Sequence, residues 1–93
     1  MSLEKIGELA IELHAATLDR KTAKYNLSDR YTEFVDRKYG EHSEKIITKG
    51  HELYAEMQAF SDEEVKAYRR AQLNEYNLKR KLDRAIRRVR GLS

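Results

Sequence analysis

The chain has no cysteine, no proline and no tryptophan, and only two phenylalanines. Without cysteine there is no disulfide, no thiolate nucleophile and no cysteine-ligated zinc. Without proline, nothing in the sequence forces a helix to stop. Apolar runs stay as short as Leu9-Ala10-Ile11, whereas a bilayer-spanning helix needs roughly 18 such residues. There is no glycine-rich phosphate loop and no G-x-S-x-G elbow. His14, His42 and His51 fall in neither a His-Glu-x-x-His pattern nor an i, i+4 pair, so no metal site is expected. These absences predict a protein without enzyme activity, cofactor or membrane span. No secretory signal pattern opens the chain, and together with the missing cysteine this predicts a cytoplasmic or virion-interior setting.

What is abundant is charge. Of 93 residues, 38% are charged and 40% hydrophobic, a balance that suits long amphipathic helices in one small domain spanning residues 1–93. The charge is divided along the chain. Residues 1–65 hold nine Lys or Arg against fourteen Asp or Glu, and residues 66–93 hold ten against two. The net +3 is therefore about −5 followed by about +8, an asymmetry that suggests polyanion contact or an intramolecular charge match.

Leu3, Ile6, Leu9, Leu13, Thr17, Leu27, Tyr31, Phe34 and Val35 keep helical spacing, which predicts one long helix over about 3–39. Asn26-Leu-Ser-Asp29 is the one place where it could split and give a three-helix bundle. Arg20 and Lys24 interrupt the seam and either snorkel or pair with acids on a facing helix. A second row, Ile11, Leu18 and Tyr25, repeats every seven residues on another side of that helix. Two seams imply two neighbours. Gly40, preceded by Arg37 and Lys38, predicts a C-terminus closed by a left-handed glycine.

Ser43 then reads as the N-cap of a helix over about 43–59, with Ile46, Gly50, Leu53, Met57 and Phe60 as its stripe and Gly50 permitting close approach of another helix. In Phe60-Ser-Asp-Glu-Glu-Val65, Ser61 and Glu64 match a capping box and Phe60 and Val65 a hydrophobic staple. That signal starts a helix over about 62–90, whose stripe runs through Tyr68, Ala71, Leu78, Leu82, Ala85, Ile86 and Val89. Asn74 and Glu75 sit beside that stripe, with Arg20 across from them in some registers, as polar groups suited to fixing the pairing.

The predicted fold is all-α: a long helical hairpin or three-helix arrangement, dimerising into a coiled-coil-like bundle. Two functions follow. In one, a non-enzymatic accessory protein self-associates as a homodimer and binds DNA or RNA non-specifically through Lys79, Arg80, Lys81, Arg84, Arg87, Arg88 and Arg90. In the other, the chain is an assembly or adaptor module for a protein partner, contacted through Leu73, Tyr76 and an overhanging arm. Its basic charge would then serve pairing within or between subunits, Arg69 to Arg80 lying near Glu4, Glu8 and Glu12. Ile11, Leu18, Tyr25, Leu73 and Tyr76 are the expected interface.

Overall fold

A computed structural model of the chain describes residues 2–40 and 47–91. They form three helices, α1 (Leu3–Tyr39), α2 (Tyr54–Phe60) and α3 (Asp62–Val89). Arg20 meets Glu75, Arg30 meets Glu64, and the ring of Phe34 lies 5.6 Å from that of Phe60. These contacts fix α1 and α3 as an antiparallel hairpin. Its longest dimension is 57 Å, close to the roughly 55 Å expected of a helix as long as α1 at 1.5 Å per residue.

Helix α1 begins at Ser2, whose backbone is extended and whose hydroxyl accepts the Lys5 amide at 3.2 Å. This is an ordinary N-cap, and Glu4 adds negative charge to the first turn where the helix dipole favours it. The helix continues unbroken through Asn26-Leu-Ser-Asp29, because Leu27 is buried in the seam while Ser28 and Asp29 face out. Buried Leu9, Ala16, Leu27 and Phe34 alternate with half-buried Leu13, Arg20, Ala23 and Arg30. That three-and-four spacing is the a/d row of a two-helix seam. Gly40 closes the helix with its amide on the Asp36 carbonyl at 2.8 Å. Its φ of 93° favours glycine as expected, but its ψ of 160° lies outside the left-handed helical region.

The second arm departs from the expected helix over 43–59. Ser43, Ile46 and His42 lie outside the described residues, and residues 47–53 turn rather than coil into a helix. Gly50 and β-branched Ile47 and Thr48 are poor helix formers. The His51 ring supplies a competing local bond, its Nδ1 accepting the Leu53 amide at 3.0 Å. His51 is thus a turn residue. A Cβ at Gly50 would meet nothing within 4 Å, so this glycine permits no close helix approach.

Helix α3 starts at Asp62 as the sequence indicates, but not through a capping box. The Ser61 hydroxyl is fully buried and donates back to the Met57 carbonyl, and it caps nothing ahead of it. Backbone bonds from Ser61 to Met57 and from Val65 to Ser61 keep the i to i−4 pattern on both sides. The arm bends at Ser61 because its φ of −108° and ψ of 23° leave helical values, beside a hydroxyl bonded back to the preceding turn. Next to this bend sits the core cluster, in which Phe34, Val35, Ile47 and Met57 are buried and Tyr31, Tyr39, Leu53, Tyr54 and Phe60 pack around them.

Candidate nucleic-acid interface

Three ion pairs join separate elements among the described residues: Arg20–Glu75 at 2.9 Å, Arg30–Glu64 at 3.7 Å and Lys38–Glu56 at 2.7 Å. In each, α1 supplies the cation. This reverses the intramolecular match expected between α3 arginines and the acidic start of α1. The register explains it, because Arg70 lies beside Asp19 and Asn26 whereas Glu12 lies beside Leu78 and Lys81. Glu4 and Glu8 sit further still from Arg69.

The basic charge of α3 is consequently left over. Within the helix Lys66 pairs with Asp62 at 3.0 Å, Lys79 with Glu75 at 3.8 Å and Arg87 with Asp83 at 3.2 Å. Among the described residues no salt bridge reaches Lys81, Arg84, Arg88 or Arg90. Arg80 lies 5.7 Å from the centre of the Tyr76 ring, a cation–π distance.

Lys81, Arg84 and Arg88 come together. With Lys5, Leu9 and Glu12 of α1 they line an open groove of about 450 Å³. The end of α3 thus lies along the start of α1, and the expected overhang is absent. Four cations surround one carboxylate and one apolar side chain. Lys5 meets Glu8 at 3.6 Å, which leaves an excess of positive charge whose members repel one another, and a phosphate chain laid in the groove would relieve that repulsion while releasing its own condensed cations. A larger groove of about 690 Å³ further along the hairpin mixes Asp19, Glu63 and Glu64 with Lys66 and Arg70 and carries no such excess.

Of the seven cations expected to contact phosphate, the groove gathers Lys81, Arg84 and Arg88. Arg90 caps the end of α3, while Lys79 and Arg87 are held by carboxylates and Arg80 turns toward Tyr76. Lys5 was missed. Its signal lay in the antiparallel register, which brings the start of the chain beside its last helical turns.

The middle of the hairpin is held differently. The Arg20 Nε donates to Glu75, whose side chain is almost fully covered, realising the pairing that the seam pattern anticipated. A hydrogen bond from the Thr17 side chain and the Arg20 guanidinium hold the Glu75 carboxyl below its ordinary value, with burial opposing them. Among the described residues no group of three His, Cys, Asp or Glu side chains is placed to hold a metal ion. No described helix is long and apolar enough to cross a membrane. Comparison with family models, with curated proteins and with solved structures finds no match to this chain.

Proposed function

We propose that the chain is a small, non-enzymatic, cytoplasmic accessory protein that self-associates and binds nucleic acid non-specifically through the basic end of α3. The observation that carries this reading is the set of cations in the groove between α1 and α3, Lys81, Arg84 and Arg88, which form no ion pair among the described residues, with Lys5, which meets Glu8 at 3.6 Å. Contacts of this kind neutralise phosphates and carry no base readout. DNA and RNA backbones therefore serve equally.

Fluorescence anisotropy of a labelled duplex tests it. Affinity falls with salt along a log–log slope of roughly −3 to −4 if about four phosphates are neutralised. Reversing Arg84, Arg87 and Arg88 to Glu abolishes binding, and binding that survives the triple reversal would refute the reading. A second reading, an adaptor for a protein partner, draws on the exposure of Leu73 and Tyr76. On that reading the triple reversal is silent and substitution of Tyr76 is not.

A further inference from the structure

Two apolar rows stay uncovered on the hairpin. On α1, Ile11, Leu18 and Tyr25 are 73%, 50% and 71% exposed; on α3, Leu73 and Tyr76 are 60% and 57% exposed. Each α1 row residue precedes a seam residue, Leu13, Arg20 or Leu27, by two positions, and Leu73 precedes buried Glu75 by two. Two residues turn a helix through about 200°. The α1 row and Leu73 therefore face away from the seam in opposite directions, on the two outer sides of the hairpin, with Tyr76 one turn beyond Leu73.

That placement limits how copies can associate. A closed two-fold dimer presents the same face of each chain to its partner and leaves the opposite row bare. Charge then distinguishes the ways of covering both. The α1 row runs between Glu4, Glu8 and Asp29, with Lys21 as the cation nearest its centre, whereas Leu73 and Tyr76 are ringed by Arg69, Arg70, Lys79 and Arg80. Among the described residues neither Glu4 and Asp29 nor Arg69 and Arg70 form a salt bridge. Packing α3 on α3 would set arginine against arginine. Packing α3 on α1 sets arginine against carboxylate and apolar row against apolar row.

We infer that copies associate head to tail, the outer face of α3 in one copy docking on the outer face of α1 in the next, as an open chain and not a closed dimer. The inference rests on the self-association proposed above and names its geometry. A heterologous contact of this kind continues until copies run out.

Sedimentation equilibrium with two neutral double variants tests the geometry. Leu18→Gln with Tyr25→Gln removes the α1 row, and Leu73→Gln with Tyr76→Gln removes the α3 row; glutamine is a good helix former at these exposed sites. The wild-type mass rises with concentration past two copies. Each variant alone associates at least about tenfold more weakly, a loss of about 1.4 kcal/mol. An equimolar mixture of the two forms a one-to-one complex that grows no further, because one intact α3 face meets one intact α1 face. If the α3 variant dimerises as wild type does, or the mixture forms no complex, the head-to-tail geometry is overturned while self-association stands. A wild-type chain that is monomeric at every concentration overturns self-association as well. The single substitutions Tyr25→Gln and Tyr76→Gln give the same complementation if either double variant fails to fold, as circular dichroism would show.

Discussion

The two ends of the hairpin are built on opposite principles. At the turn end, Phe34, Val35, Ile47 and Met57 are buried beneath a shell of four aromatic side chains and Leu53, and charges are used to cover them. Arg30 and Arg37 lie 4.0 and 5.0 Å from the centre of the Phe60 ring, while Arg30, Arg37 and Lys38 each also meet a carboxylate. At the terminal end the seam narrows to Leu9, Ala16 and Ala85, and among the described residues Lys81, Arg84 and Arg88 beside it form no ion pair. Burial of large apolar surface stabilises the first end, and little such surface exists at the second. The comparison teaches that the apolar core and the basic groove proposed to bind polyanions occupy separate places on one simple scaffold.

Phe34→Ala should give the largest effect, since a buried aromatic truncation typically costs about 3–5 kcal/mol. Leu9→Ala at the other end should cost about 2 kcal/mol, the low side of its class, because Leu9 borders an open groove whose side chains can settle inward. Urea denaturation of both variants measures the contrast, and equal losses would erase it.

Next comes Ser61→Ala. It removes the buried hydroxyl bond to the Met57 carbonyl and should lower stability by about 1 kcal/mol. An unchanged or raised melting temperature would show that the bend at Ser61 does not depend on that bond.

The smallest effect belongs to the middle of the hairpin. The attraction between Arg20 and Glu75 is largely offset by the cost of covering both groups. Because the Glu75 carboxyl is held below its ordinary 4.5, its contribution is present above that pH and is lost as pH falls through the lowered value. The stability difference between wild type and Glu75→Gln should therefore shrink in acid below about pH 4.5, as denaturation at several pH values would show. A difference that widens in acid would contradict the assigned direction.

Much of the scaffold was legible because it rests on periodicity. The seam of α1, the start of α3 at Asp62 and the pairing of Arg20 with Glu75 all follow from spacing and polarity within regular helices. The segment before Tyr54 was misread because its apolar residues keep a helical interval while Gly50, Thr48 and the His51 ring favour a turn. Ser61 matched a capping pattern, yet its hydroxyl bonds backward, a choice made by burial rather than by sequence. The groove was half visible. Lys81, Arg84 and Arg88 stood out as a basic run, whereas Lys5 joins them only through the antiparallel register, and the failure of Glu4, Glu8 and Glu12 to meet Arg69 to Arg80 has the same origin.

Backbone amide chemical shifts of the isotope-labelled chain, followed while a short duplex oligonucleotide is added, test the division between the two ends most directly. Shifts should concentrate at residues 5–12 and 81–90 and leave residues 31–39 and 54–60 in place. Shifts concentrated around Phe34, Met57 and Phe60, with the Lys5, Arg84 and Arg88 amides unmoved, would contradict it.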